Sequence, residues 1–252
     1  MKHPVFAANW KMNQAPADAK AFVRQFTAYF PRQQDRMVLI FPSALTLYAV
    51  VDGLKDRPDI QIGVQNIHWE DKGAFTGENS APIARAAGAR YTLVGHSERR
   101  HVFGETDEET TKKTAAAVRA GLTPLVCVGE TSAQHSAGET EAVVLRQLRA
   151  AFAQVSAQHI ASSLVAYEPV WAIGTGNTAS PADAAAVHAV IRRELRALTE
   201  GREEAVPVLY GGSVNSGNAG SLLAASDVDG LLVGGASLDA EGWASIVRAQ
   251  RP

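Results

Sequence analysis

Eight short apolar runs, spread along the whole chain and separated by helix-like segments, constrain the fold more than any other sequence feature. Each run is continuously apolar rather than alternating, which is typical of strands buried on both faces of a parallel sheet. We predict strands at residues 5–8, 37–41, 60–64, 91–94, 123–128, 164–167, 206–210 and 230–233. Eight strand–helix units in about 250 residues match a (β/α)8 barrel. With no linker to divide them, we expect one α/β barrel domain over residues 1–252, with a doubly wound open sheet as the alternative.

The segments between these runs carry helix signals. Residues 106–109 form a predicted capping box, Thr-Asp-Glu-Glu, and residues 180–183 combine an N-cap serine, a proline in the first turn and an early acid. Residues 142–153 have apolar side chains at helical spacing. Gly121 and Gly201 follow two such segments and are expected to end helices.

The composition excludes several classes of protein. The net charge of −2 offers no basic surface for nucleic acid, and one cysteine cannot build a disulfide framework or a cysteine-rich metal site. No apolar run approaches membrane-spanning length, and residues 9–11, Asn-Trp-Lys, stand where a signal peptide needs an apolar core. We therefore expect a reduced, cytoplasmic protein with neither nucleic acid nor membrane as a partner.

Polar residues and glycines follow the predicted strands directly. In a barrel these positions gather around one opening, at the carboxyl ends of the strands. The segments are Asn9-Trp10-Lys11, Gln65-Asn66, Gly95-His96-Ser97-Glu98-Arg99, Gly129-Glu130, Glu168, Gly211-Gly212-Ser213 and Gly234-Gly235. Together they supply a carboxylate, an imidazole, a cation and two glycine pairs.

Glu168 is the candidate general base, because it ends an apolar strand and a loop carrying Gly174 and Gly176 follows it. Such a loop can cover the carboxylate and exclude water. A solvated acid at a strand end is the alternative.

The glycine pairs predict an anion site. Glycines at 211–212 and 234–235 allow a close approach of backbone N–H groups, and residues 236–238 are expected to form a short helical turn. A single glycine pair is usually only a turn, but two pairs after the last two strands favour phosphate.

The motifs resemble those of the triosephosphate isomerase family, in the family's order and over nearly the full length. They are Asn9-Trp-Lys11, Gly95-His-Ser-Glu-Arg99, Tyr167-Glu-Pro-Val-Trp-Ala-Ile-Gly-Thr-Gly176, Tyr210-Gly-Gly-Ser-Val214 and Leu232-Val-Gly-Gly235. The resemblance implies interconversion of dihydroxyacetone phosphate and D-glyceraldehyde 3-phosphate in glycolysis and gluconeogenesis. It also implies a homodimer, with no metal and no organic cofactor.

The resemblance assigns chemical roles to four of these residues. Glu168 would move a proton between two adjacent carbons, and His96 would polarise the carbonyl oxygen as a neutral imidazole. Lys11 would stabilise the negative charge of substrate and enediolate, and Asn9 would contact the same region through its amide.

Residues Ser97 and Glu98 are expected to support this chemistry from the start of a short helix that faces the His96 ring. The N-terminus of such a helix disfavours imidazolium. Glu98 either pairs with Lys11 or is an ordinary helix-terminal acid.

Family resemblance also implies a phosphate site and a lid. The substrate would be bound by Asn9 and Lys11 and its phosphate by Gly174, Ser213, Gly234 and Gly235, and Gly174 would arrive only when the lid closes. The lid would comprise Pro169, Val170, Trp171, Ala172, Ile173, Thr175 and Gly176, with hinges at 169–171 and 177–179. Asn177 stands where many family members have lysine.

The loop from Gln65 to Glu78 is the predicted dimer contact. It carries Ile67, Trp69 and Phe75, and apolar residues on an exposed loop indicate a partner surface. In the family this loop inserts into the other subunit, which brings Thr76 towards the partner's Lys11 region.

Two other functions remain open from the sequence. A phosphate-binding barrel lyase or synthase shares the phosphate loops but commonly needs a Schiff-base lysine in the barrel or a metal cluster. A non-catalytic binder of phosphate ligands is the other possibility, although it would not need both Glu168 and His96. Cys127 is expected to be buried and inert, and Glu130 to have a structural role at the barrel rim.

Overall fold

In a computed structural model that describes residues 3–173 and 179–250, eight parallel strands close into a barrel in chain order. The strands are β1 (Val5–Asn9), β2 (Met37–Phe41), β3 (Ile60–Val64), β4 (Tyr91–Val94), β5 (Thr123–Val128), β6 (Leu164–Tyr167), β7 (Val208–Tyr210) and β8 (Gly230–Val233). Strand β8 pairs with β1, with Leu232 opposite Ala7, so the sheet has no open edge. The barrel prediction is confirmed, and the doubly wound open sheet is wrong.

Helices surround the barrel and connect its strands. They are α1 (Pro16–Tyr29), α2 (Leu47–Gly53), α3 (Ala81–Ala86), α4 (Ser97–His101), α5 (Asp107–Arg119), α6 (Ser132–Ser136), α7 (Thr140–Phe152), α8 (Ala157–Ile160), α9 (Pro181–Leu198), α10 (Ala219–Ala224) and α11 (Ala240–Val247). Short 3-10 turns occupy Val170–Ala172, Glu203–Ala205 and Gly235–Ser237. No helix in the described parts of the chain is long and apolar enough to cross a membrane.

Only the seventh predicted strand differs by more than one residue from the structure. Strand β7 begins at Val208 rather than at residue 206. Val206 follows the Glu203–Ala205 turn directly, and Pro207 has no N–H to donate to a neighbouring strand. The Pro207 carbonyl still accepts the Val165 amide at 3.0 Å. Strand β1 is one residue longer than predicted, since Asn9 pairs with Phe41.

The predicted helix ends are present. Thr106 and Glu109 form a reciprocal capping box at the start of α5, and Ser180 and Asp183 form one at the start of α9. Gly121 has a φ of +72°, a conformation that suits glycine where a helix ends.

Strand side chains are buried on both faces, as the continuous apolar runs predict. One cluster fills the barrel interior and includes Leu39, Leu93 and Leu209, while a larger cluster lies between the strands and the helices. Cys127 belongs to the interior cluster and is fully buried. Burial, together with the charge of Glu168, raises the pKa of its thiol well above the usual range.

Buried polar groups join α9 to the strands that it covers. The Arg192 guanidinium forms an ion pair with Asp229 and also donates to the Val206 carbonyl at 2.7 Å. One turn earlier, His188 is fully buried, with Nδ1 3.0 Å from the Asp227 carbonyl. Burial lowers the pKa of His188 to about 4.

His188 therefore makes stability depend on pH. The pKa of a histidine is about 6.5 in the unfolded chain, whereas the pKa of His188 in the folded chain is about 4. The unfolded state thus binds more protons in this window, and we expect about 2–4 kcal/mol of stability to be lost as the pH falls from about 6.5 to 4.

Urea unfolding at a series of pH values and one protein concentration measures this effect. The variant His188→Gln should lose that part of the pH dependence, while His159→Gln, which changes an exposed histidine on α8, should keep it. The same pH profile in His188→Gln as in the parent chain would show that another group is responsible.

Candidate active site

A cleft of about 240 Å³ opens at the carboxyl ends of the strands. It is lined by Asn9, Lys11, His96, Glu168, Ile173, Gly211, Gly212, Ser213, Val214, Leu232, Gly234 and Gly235. Residues 9, 11, 96 and 168, which the sequence marked as a potential catalytic set, therefore share one opening with the two glycine pairs. The barrel closure brings them together from the ends of three separate strands, β1, β4 and β6.

Lys11 is held in an unfavourable backbone conformation, with a φ of +51°. Two side chains support it: Asn9 Oδ1 accepts the Lys11 amide at 3.0 Å, and Gln65 Nε2 donates to the Lys11 carbonyl at 2.8 Å. The same Gln65 nitrogen donates to the Phe41 carbonyl at 2.9 Å. A left-handed conformation in a non-glycine residue persists only when its surroundings fix it, so the neighbouring strand ends determine where the ammonium points.

The Lys11 ammonium forms a 2.6 Å ion pair with Glu98 Oε1. Glu98 lies in the first turn of α4, and its side chain is 44% exposed. The pair is therefore partly screened by solvent. Of the two readings that the sequence left open for Glu98, the geometry favours a contact that orients Lys11.

His96 immediately precedes α4 and caps it. Its Nδ1 accepts the Glu98 amide at 3.2 Å, which requires a lone pair on Nδ1 and assigns the ring proton to Nε2. The ring is buried, and Nε2 lies 3.0 Å from Glu168 Oε1. A neutral donor thus points into the cleft, and the short helix predicted at Ser97 and Glu98 is present.

Glu168 follows β6 and is almost completely buried. Its amide donates to the Val128 carbonyl at 2.8 Å, which fixes its backbone against the end of β5. Its carboxylate accepts the Ser97 amide at 2.8 Å on Oε2 and faces His96 on Oε1. The solvated acid that the sequence offered as the alternative is excluded by this burial. Both carboxylate oxygens therefore contact protein groups in this structure.

The pKa values of Glu168 and His96 are coupled. Burial raises the pKa of Glu168, but His96 and the Ser97 amide outweigh burial, so the pKa lies below the usual range. Burial lowers the pKa of His96, but the facing Glu168 carboxylate raises it above the ordinary value. This rise conflicts with the lone pair that the Glu98 amide requires on Nδ1. We assign the neutral ring, because the Glu98 amide donates to Nδ1 and leaves no place for a second ring proton.

Glycines at the ends of β5, β7 and β8 leave room that side chains would fill. A Cβ on Gly129 would lie 1.8 Å from the Glu168 carbonyl, and one on Gly211 would lie 3.0 Å from Glu168 Cγ. A Cβ on Gly234 would lie 3.2 Å from Lys11 Cε, whereas the space beside Gly235 is open. These residues therefore let the backbone come close to Glu168 and Lys11 while leaving an opening above Gly235.

Ser213 joins the glycine loop to the segment after Glu168. Its hydroxyl donates to the Ala172 carbonyl at 2.6 Å, and Asn218 Nδ2 donates to the Ser213 carbonyl at 3.0 Å. Pro169 and the turn Val170–Ala172 belong to the predicted lid, and Ile173 lines the cleft. The predicted residues Gly174, Thr175 and Gly176, like most of the second hinge, lie outside the described residues.

Two networks support the site; the sequence predicted neither the first nor the partners of Glu130 in the second. Buried Glu105 accepts the Gly95 amide at 2.9 Å and pairs with buried Lys113, which also donates to Asn66. Gln65 was placed among the polar residues around the opening and at a loop boundary, but its bond to the Lys11 carbonyl was not predicted. The partners of these groups lie 47 or 54 residues away in the chain, or in a different element, so no local motif marks them.

Glu130 contributes the second network, at the rim predicted for it. It is fully buried, and its Oε1 accepts Trp171 Nε1 at 2.8 Å and the Tyr167 hydroxyl at 3.1 Å. Burial and the Glu130 charge raise the pKa of the Tyr167 hydroxyl well above its usual range. Over residues 3–173 and 179–250, no three His, Cys, Asp or Glu side chains are grouped so that they could hold a metal ion.

Comparison with known proteins gives the same family throughout. The family model for triosephosphate isomerase matches residues 4–250. Curated triosephosphate isomerases from Endomicrobium trichonymphae and Herpetosiphon aurantiacus are 45% and 46% identical, each over 98% of this chain and 99% of the relative. The crystal structure of triosephosphate isomerase from Bartonella henselae superposes with a TM-score of 0.87 and 36% identity, over 97% of both chains. On the barrel, the cleft and these matches, the chain belongs to the triosephosphate isomerase family.

Proposed function

We propose that this chain interconverts dihydroxyacetone phosphate and D-glyceraldehyde 3-phosphate through an enediolate, as an enzyme of glycolysis and gluconeogenesis in the cytoplasm. The observation that carries the proposal is the 3.0 Å approach of the buried Glu168 carboxylate to His96 Nε2, inside a cleft that also holds Lys11 and two glycine pairs. The reaction needs one base, one neutral donor and one cation around a three-carbon substrate.

Glu168 takes the proton from the carbon beside the carbonyl and returns it to the neighbouring carbon. Its carboxylate must first leave Ser97 and His96, which removes the interactions that lower its pKa and makes it a stronger base. Because the group remains buried, burial then raises its pKa.

His96 donates from Nε2 to the carbonyl oxygen and moves a proton between the two oxygens of the enediolate. Its Nδ1 stays engaged with the Glu98 amide throughout, which keeps the ring oriented. Once Glu168 turns to the substrate, burial favours the neutral ring, and a neutral donor matches the charge that develops on the oxygen.

Lys11 and Asn9 complete the electrostatic part of the site, and the phosphate is bound by Ser213, Gly234 and Gly235, with Gly174 as a further ligand. The opening above Gly235 supports this assignment, since no side chain fills it. Binding of the phosphate, which does not react, supplies energy that orients the reacting carbons. We assign no cofactor to the reaction.

The two alternatives receive less support. Lys11 lies at the rim in an ion pair with Glu98, and Lys113 is buried with Glu105, so neither of these lysines is free to form a Schiff base with a ligand in the cleft. A pure binding protein would have no use for a buried carboxylate placed 3.0 Å from an imidazole donor.

We also propose a homodimer formed through the carboxyl-end loops after β1 to β4. These four neighbouring strands are followed by seven exposed large apolar side chains, namely Met12, Leu45, Tyr48, Phe75, Ile83, Val102 and Phe103. A pocket of about 220 Å³ between Met12, Gln65, Glu98 and Phe103 lies beside Lys11 and His96. It can receive the Gln65-to-Glu78 loop of a second copy, with Thr76 at its tip.

The first prediction concerns the base. The substitution Glu168→Gln keeps the size of the side chain but removes its basicity, so kcat should fall by about 10²–10⁴ with the fold intact. A coupled assay with glyceraldehyde 3-phosphate, without added metal, measures the change. Glu108→Gln, on an exposed position of α5, is the control. An unchanged rate in Glu168→Gln would rule out this role.

The second prediction concerns the cation. Lys11→Met should weaken inorganic phosphate binding and lower kcat/KM by about 10²–10³, because it removes a charge that the substrate and the transition state both use. Lys112→Met removes an exposed lysine on α5 and should leave both parameters unchanged. Normal phosphate binding in Lys11→Met would contradict the assignment.

The third prediction concerns assembly. Sedimentation should give a dimer for the parent chain and a monomer with low activity for Phe103→Asp, because the charge enters the apolar contact. Tyr29→Asp, which changes an exposed aromatic at the end of α1, should remain dimeric. A fully active monomer in the parent chain would remove the dimer proposal.

A further inference from the structure

His135, on helix α6, contacts the segment that follows Glu168 but has no role in the proposed reaction. Its ring stacks on the Trp171 indole, with centroids 4.5 Å apart and an interplanar angle of 28°. Its Nδ1 lies 3.3 Å from Glu130 Oε1, the same oxygen that accepts Trp171 Nε1. One half-exposed imidazole thus contacts both members of the Glu130–Trp171 pair.

Glu130 needs such a partner, because it is a fully buried carboxylate. Its Oε1 is shared by three groups, and its Oε2 has no hydrogen-bond partner among the described residues. In the described part of the chain, His135 is the only side chain within 4.0 Å of this carboxylate that can become a cation. Burying a carboxylate is costly unless hydrogen bonds and an opposite charge compensate it.

The pair is connected to the cleft through the residues that follow Trp171. Trp171 is the middle residue of the turn Val170–Ala172, whose last carbonyl accepts the Ser213 hydroxyl at 2.6 Å. The next residue, Ile173, lines the cleft. Fixing the indole therefore fixes a short peptide segment that bonds to a phosphate-loop residue on its other side.

We propose that His135 is a positioning residue. Its ring holds Trp171 against Glu130 and thereby holds residues 169–173, which lead into one wall of the proposed phosphate cleft. It does so more firmly when the imidazole is protonated. A protonated ring donates to Glu130 with a full positive charge, and its cationic face still stacks on the indole. The effect on phosphate binding rests on the proposed function, whereas the contact itself does not.

Few other titratable groups face His135 from the elements around it. Glu130 follows β5, and Tyr167 in β6 donates to Glu130. The Val170–Ala172 turn, which packs on α6, has no charged residue. Helix α7 also packs on α6, and its first residue, Thr140, has Oγ1 3.5 Å from Nδ1. Glu139 is the N-cap of α7, and Glu141 in its first turn pairs with Arg193. The nearest acid that contacts the ring is therefore Glu130.

The contact can be tested without substrate by fluorine NMR of protein labelled with 5-fluorotryptophan. Four resonances are expected, and Trp171→Phe identifies that of Trp171. We expect this resonance to shift with pH, and to lose the shift in His135→Gln. His159→Gln, a histidine paired with Ser156 on α8, is the matched control and should keep it.

The consequence for the site is tested by KM and by the affinity for inorganic phosphate. In His135→Gln we expect KM to rise and the affinity for inorganic phosphate to fall, each by about three- to fivefold at acidic pH. At alkaline pH both quantities should approach the parent values, and kcat should change little at any pH. His135→Arg supplies a permanent planar cation and should restore both at every pH.

Two results would overturn the proposal. One is a Trp171 resonance that does not titrate, or that titrates equally in His135→Gln. The other is a ratio of KM between His135→Gln and the parent chain that stays constant with pH, as a purely structural change would give. Failure of the proposed function would instead appear as no turnover in the parent chain, and the NMR titration would still decide whether the contact exists.

Discussion

The backbone pairing of β8 with β1 is the constraint on which the rest of the structure depends. Closure satisfies every strand edge and forces the eight carboxyl ends into one ring. Asn9, His96 and Glu168 are separated by more than 70 residues from one another in sequence, yet they line one cleft because each stands at the end of its strand. Two layers of buried apolar side chains, inside the barrel and beneath the helices, keep the ring closed.

Within this ring, hydrogen bonds and ion pairs stabilise two features of the site that are unfavourable by themselves, a left-handed backbone at Lys11 and a buried charge at Glu168. Lys11 keeps a positive φ because Asn9 and Gln65 bond its amide and carbonyl. The Glu168 carboxylate is ionised in a dry environment because His96 and the Ser97 amide compensate it. In this position both partners lower its pKa. In the proposed reaction the carboxylate leaves them, so the movement of one side chain would raise its basicity.

Much of this could be read from the sequence, because the signals are local. Continuous apolar runs gave six of the eight strands with their observed bounds, and the capping residues at 106 and 180 gave two helix starts. Strand β7 was predicted too long because a 3-10 turn and Pro207 interrupt a run that is apolar in composition. The supports of the site were missed for another reason: Gln65 and Lys113 bind groups 54 and 47 residues away, and His135 stacks on Trp171 after another strand, so only the closed barrel brings these partners near. The composition of the chain and the spacing of its motifs do not predict such contacts.

The position of Cys127 has a practical consequence. The lone thiol lies on the inner side of β5, in the barrel interior, where burial and the charge of Glu168 suppress its thiolate. A reagent that modifies thiolates can reach this sulfur only after the strands separate. The rate at which Cys127 is alkylated in the native protein therefore measures how often the barrel opens, without any introduced label.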